Sequence, residues 1–171
     1  FAKDILDVGP SGLGLMYTAM GIGSFTAAAS HTNLGAARLQ RSLLVGGAAL
    51  GGTALFLFAI STWFIPSLLL LFLVGLGLST LNVAVQTNLQ LLVSDDFRGR
   101  VMGMWGMVHT SIRPLGEMQA GALAAVASAP LALMVSGVAI LAFMGGFIVP
   151  NRLLRNLGGI RVQAHSEAVQ P

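Results

Sequence analysis

Five stretches of this sequence are long and apolar enough, or nearly so, to cross a lipid bilayer as helices: residues 12–29, 42–60, 67–93, 101–127 and 131–149. A spanning helix needs about 20 mostly apolar residues. Backbone groups in hydrocarbon must bond one another, so only helices and closed barrels span a membrane. These stretches are too long and too evenly apolar for barrel strands, which alternate over about ten residues. Pro10, Pro66, Pro130 and Pro150 fall at stretch edges, where a missing N–H costs least. Composition agrees: of 171 residues, 55% are hydrophobic and 9% charged, against about 25% charged in a soluble domain. A water-soluble domain of this size leaves roughly 30% of its unfolded-chain surface exposed, and this chain lacks the polar side chains to cover it. The expectation is an all-α membrane protein with five transmembrane helices over residues 1–150 and a tail from 151 to 171. The lipid bilayer is its first partner, and a soluble enzyme, a nucleic-acid module and a disordered tail are excluded.

The arginines orient the spans. The segment 30–41 carries Arg38 and Arg41, the segment 94–100 carries Arg98 and Arg100, and the tail carries Arg152, Arg155 and Arg161. The alternate segments, 61–66 and 128–130, carry no cation. Excess Lys and Arg marks the cytoplasmic side, so the C-terminus is expected in the cytoplasm and residue 1 outside. Lys3 sits beside Asp4 and Asp7, and Trp63 and Phe64 suit an interfacial aromatic anchor at the outer turn. The first residue is Phe1 rather than Met and no basic segment precedes an apolar core, so no signal peptide is expected. Five spans starting outside read as part of a longer protein whose N-terminal half is missing.

Several chemistries are closed to the chain. It has no cysteine, hence no disulfide framework or thiolate ligand. His31, His109 and His165 are too dispersed for a local metal site. No zinc-protease, serine-hydrolase or nucleotide-loop motif is present, so neither a cofactor nor an enzymatic activity is expected. Gly-rich segments such as Gly21-Ile22-Gly23 and Gly75-Leu76-Gly77 lie inside apolar stretches and lack the strand a dinucleotide motif requires. Gly47 and Gly51, flanked by Gly46 and Gly52, together with Gly12, Gly14, Gly21 and Gly23, read instead as points of close helix approach. Met102, Met104, Met107 and Met118 read as adaptable packing.

Polar groups inside the spans carry the functional signal. Ser79, Asn82, Gln86 and Gln90 fall within an arc of about 80° on a helix turning about 100° per residue. Such a stripe bonds a neighbouring helix or lines a cavity. His109, Arg113 and Glu117 follow one another at four-residue spacing and share one helix face. An Arg at the bilayer centre costs about 2.5–3.5 kcal/mol on insertion scales, so such groups are paired and usually functional. Arg113 and Glu117 can pair, and Pro114 between them removes a backbone hydrogen bond.

The segment Ser94-Asp95-Asp96-Phe97-Arg98-Gly99-Arg100-Val101-Met102-Gly103, preceded by Gln90 and followed by Met104, resembles the R-G-R-x-x-G loop of the major facilitator superfamily. The resemblance is to the branch that includes the enterobactin exporter and macrolide-efflux-like permeases. Gly12-Leu13-Gly14 and Gly21-Ile22-Gly23 look like that family's eighth helix. Pro114-Leu115-Gly116 with Ala120-Gly121 looks like its eleventh. This register implies that the chain runs from the end of helix seven through helix twelve. The segment 30–41 departs from the family's loop pattern, having Arg38 and Arg41 but no acid.

The resemblance implies a secondary active transporter of the inner membrane, with proton-coupled export of a small organic molecule such as a drug or siderophore. Substrate would bind near the midplane, between this half and the other, with Asn82, Gln86, His109, Arg113 and Glu117 on the substrate and proton pathway. The segment with Asp95, Asp96, Arg98, Gly99 and Arg100 would act as a cytoplasmic gate, Asp95 or Asp96 capping the following helix. The alternatives are the membrane subunit of an ATP-driven permease, or a non-transporting or enzymatic membrane protein.

Overall fold

A computed structural model of the chain describes residues 8–33 and 40–148. Among them the only regular structure is helical. Helix α1 spans Pro10–Asn33, α2 Gln40–Ile60, α3 Phe64–Leu92, α4 Asp95–Val126 and α5 Ala129–Phe143, which runs on into a π-helical turn at Met144–Ile148. At about 1.5 Å per residue, the 29 residues of α3 and the 32 of α4 exceed the roughly 30 Å hydrocarbon core.

Three segments are long and apolar enough to cross a membrane: Ser42–Ile60, Phe64–Gln90 and Ala129–Gly146. The first and fourth expected spans fall short of that apolarity for identifiable reasons. Helix α1 dilutes its apolar residues with Gly, Ser and Thr, and α4 carries Asp95, Asp96, Arg98, Arg100, Arg113 and Glu117. The first seven residues, the segment 34–39 with Arg38, and the tail from 149 lie outside the described residues, as do the side chains of His31 and Arg41.

Helix α3 lies between α1 and α2, α2 also packs on α5, and α4 packs mainly on α5. The α1–α3 contact is parallel, with Met20 against Gly75 and Ser24 against Gly75 and Ser79. The α2–α3 contact is antiparallel, with Gly47 and Gly51 against Gly77. Both depend on missing side chains. A Cβ on Gly75 would stand 2.9 Å from the Met20 carbonyl carbon, and one on Gly77 would stand 2.7 Å from Gly51 Cα. Gly137 repeats the device between α5 and α2, at 3.0 Å from the Phe56 nitrogen. Gly14, Gly21 and Gly46 do not: nothing lies within 4 Å of a Cβ there, so the close-approach reading fails for these three within the described chain.

The turns are built from local hydrogen bonds. Ser67, fully buried, donates to the Trp63 carbonyl at 2.7 Å and lies 2.9 Å from Ser61 Oγ, within reach of the Ser61 hydroxyl proton, which closes the α2–α3 turn. Pro66 sits in the first turn of α3, where its absent N–H has no intrahelical acceptor anyway. Trp63 itself is 75% exposed, as an interfacial anchor requires. Ser128 caps α5, accepting from the Leu131 nitrogen at 3.4 Å, with Pro130 in the first turn.

The expected gate segment is mostly not a loop. Helix α4 begins at Asp95, so Asp95, Asp96, Arg98, Gly99 and Arg100 all belong to its first two turns. Ser94 occupies the N-cap without a side-chain cap bond, so Asp95 and Asp96 follow the cap rather than form it. Their charges suit the positive end of the helix dipole, whereas Arg98 and Arg100 oppose it. The methionines of α4 also differ from expectation. Met104, Met107 and Met118 are exposed and fill no gap in the described bundle.

Candidate functional site

Helix α3 is apolar from Leu68 to Leu78 and then turns polar along one side. Ser79 donates to the Ser24 carbonyl and Ser24 to the Gly75 carbonyl, both at 3.3 Å, knitting that side to α1. One turn on, the stripe leaves α1 and meets α4. Asn82 Nδ2 lies 3.2 Å from His109 Nε2, and Gln86 Nε2 donates to Asn82 Oδ1 at 3.0 Å. The Asn82 oxygen accepts from Gln86, and its NH₂ can donate to His109 Nε2 when the ring is in the tautomer protonated on Nδ1. Gln86 thereby positions Asn82, and Asn82 ties α4 to α3 at a height where the two helices otherwise barely touch.

A cavity of about 810 Å³ opens between α1, α3 and α4. Met20, Leu78, Val83, Val108 and Ile112 give it apolar walls. Ser24, Ser79, Asn82 and His109 contribute the polar groups, and Arg113 the charge. Trp105, one turn before His109, supplies an aromatic plane. The two rings are 5.9 Å apart and tilted by 36°. An apolar concavity of a few hundred to a thousand Å³ with a few convergent polar groups is the usual form of a small-molecule site.

Arg113 and Glu117 pair as their spacing predicts, Nε to Oε1 at 3.1 Å. The side chains remain 75% and 68% exposed, and every residue from Gly106 to Ala122 is exposed, those on the cavity side included. Pro114 does not end the helix, which continues to Val126. Glu117 lies behind Arg113 and off the cavity lining, as does Gln86 behind Asn82.

The five pathway residues inferred from the sequence therefore divide. Asn82, His109 and Arg113 line one cavity, while Gln86 and Glu117 each hold one of them from behind. The gate residues are remote from it. Arg98 Nε donates to the Gln90 carbonyl at 3.3 Å across the α3–α4 turn, and Asp96, Gly99 and Arg100 are exposed. The side chain of Asp95 lies outside the described set. Sequence reasoning missed Trp105, Met20 and Ser24. Trp105 was recoverable, since it precedes His109 by four residues on the same helix face; Met20 and Ser24 depend on which helix packs against α3.

Among the described residues no group of three His, Asp or Glu is arranged to hold a metal ion. No protein-family model matches the chain, and comparison with curated proteins and with solved structures finds no match.

Proposed function

We propose that the chain is part of a secondary active transporter of the major facilitator superfamily, which exports a small organic molecule across the inner membrane in exchange for protons. The observation that carries the reading is the cavity of about 810 Å³ walled by helices of membrane-spanning length, with Asn82 and His109 on its lining and Gln86 holding Asn82 from behind. All five helices cross the bilayer in this reading. Helices α1 and α4 are long enough, and their polar residues face protein or the cavity rather than lipid. The flank of α4 that carries Glu117, beside the cavity-lining Arg113, faces the remaining helices of the protein, because a lipid-facing charge pair is too costly. The C-terminus is cytoplasmic, from the arginine distribution.

In this mechanism the substrate occupies the cavity near the midplane, and alternating access comes from rocking of one helix bundle against another. Arg113 orients a polar or anionic group of the substrate. Glu117 exchanges a proton when its pairing with Arg113 opens, and His109 serves as a relay or hydrogen-bond partner. Arg98 and Arg100 latch the cytoplasmic side by pairing with acids on another helix.

The test is reconstitution of the full-length protein with an imposed pH gradient. Glu117→Gln is expected to insert and bind, to lose uphill transport and to retain exchange. Uphill transport at the wild-type rate by Glu117→Gln would remove the proton role. A pair that is purely structural would instead lower stability and leave the pH dependence of the surviving protein intact.

A further inference from the structure

The geometry points to a ligand of one chemical class for this cavity: an organic anion with a flat apolar body, bound with its acidic group at Arg113 and its ring against Trp105. The inference rests on reading the cavity as the transported molecule's site, and it adds which molecules that site selects.

The argument is electrostatic asymmetry. Among the described residues on the lining, Arg113 is the one charged side chain and none is a carboxylate. Its counter-ion, Glu117, sits one turn further along α4, outside the lining, and engages Nε. The pair is thus a dipole with its positive end toward the cavity. Nε is taken, and the two terminal NH₂ groups of the guanidinium are left to grip a carboxylate or a similar oxyanion, whose planar geometry they match. The other polar groups on the lining are neutral: the Asn82 oxygen accepts from Gln86, and Ser24 and Ser79 donate to backbone carbonyls, so each offers a cation a lone pair at most and none offers a counter-charge. A cationic ligand would meet Arg113 without any acid facing it. The apolar walls and the indole then demand a hydrophobic body rather than a small hydrophilic ion.

The experiment measures binding separately from transport. The full-length protein in nanodiscs of zwitterionic lipid is titrated with three probes sharing one fluorophore: dansylglycine (anionic), dansylamide (neutral) and dansylcadaverine (cationic). Only the energy-transfer signal lost in Trp105→Phe counts as cavity binding. Dansylglycine is expected to bind about 10- to 100-fold more tightly than dansylcadaverine, the range of one hydrogen-bonded charge contact. Arg113→Gln brings that ratio close to one, and Arg113→Lys keeps most of it. Glu117→Gln tightens dansylglycine several-fold by removing the acid and freeing Nε. Equal binding of the three probes, a preference for the cation, or no Trp105-dependent signal in the wild-type protein overturns the proposal, whether or not the Gln variant inserts. An unchanged ratio in Arg113→Gln overturns it as well. Anion-selective binding without flux under any imposed gradient would overturn the transporter reading and leave the ligand class standing. Flux without anion preference would do the reverse.

Discussion

Replacing Gly75 with alanine tests whether α1 and α3 are held together by backbone contact. The new Cβ would stand 2.9 Å from the Met20 carbonyl carbon and 3.1 Å from Met20 Cα, and closer still to the Met20 oxygen. Ordinary contact begins at 3.4 Å, so the helices must part by at least 0.5 Å (3.4 − 2.9). All the opposing atoms belong to helix backbone and cannot swing aside. Overpacking of this kind costs about 1–3 kcal/mol. Separation also strains the Ser24–Gly75 and Ser79–Ser24 hydrogen bonds, both at 3.3 Å. At roughly 0.6 kcal/mol per intramembrane bond, their loss adds about 1.2 kcal/mol. Alanine returns up to about 1 kcal/mol of helix propensity, leaving a net destabilisation of about 1–3 kcal/mol. Gly21→Ala is the matched control, since it lies on α1 with nothing within 4 Å. It should be neutral or stabilise by up to about 1 kcal/mol. Denaturant unfolding in lipid–detergent micelles measures both. If Gly75→Ala proves as stable as Gly21→Ala, the glycine contact does not hold these helices.

Three further outcomes are expected. A cysteine at Ser94 should be labelled only from the cytoplasmic side and one at Ser61 only from outside; the reverse labelling would invert the topology. Asn82→Leu removes the bond to His109, so spin labels on α3 and α4 should report a broader distance distribution than wild type; an unchanged distribution would mean that other contacts fix α4. Arg98→Ala combined with Arg100→Ala should shift the balance of inward- and outward-open forms while leaving binding by the competent form nearly unchanged. Unaltered cavity accessibility in a correctly inserted double variant would reduce these arginines to topology signals.

The helices themselves were legible because apolar length is a local property. Three of the five stretches, near 42–60, 67–93 and 131–149, reappear as helices of spanning length and apolarity. The π-turn at Met144–Ile148 had no such signal, lying in an unbroken apolar run. The gate segment misled for a local reason: it reads as a loop with Asp95 or Asp96 capping the helix after it, whereas the helix starts at Asp95 and carries Arg98 and Arg100 on its opening turns. In the site, four-residue spacing was enough to pair Arg113 with Glu117, because the contact is within one helix; the Gln86–Asn82 bond has the same spacing but was read only as part of a polar stripe. The Asn82–His109 bond spans 27 residues of sequence, and periodicity says nothing of which faces meet. The same limit separated Gly23 and Gly75, which are buried between backbones, from Gly14 and Gly21, which are open. All four look alike in the sequence.

Gly75 and Gly77 are two residues apart, about 200° around the helix, and so face α1 and α2 respectively. Together they fix an angular register that tolerates no change in chain length. One residue inserted between them would turn everything beyond by about 100° and advance it by about 1.5 Å. Either interface could then be kept only by abandoning the other. Insertion or deletion could be absorbed only toward the ends of α3, outside the run from Phe72 to Asn82 that meets α1, α2 and α4, as a longer or shorter protrusion; the step from Gly75 to Gly77 is the tightest part of that run. Chimeras that exchange helices with another protein should therefore place their junctions outside it.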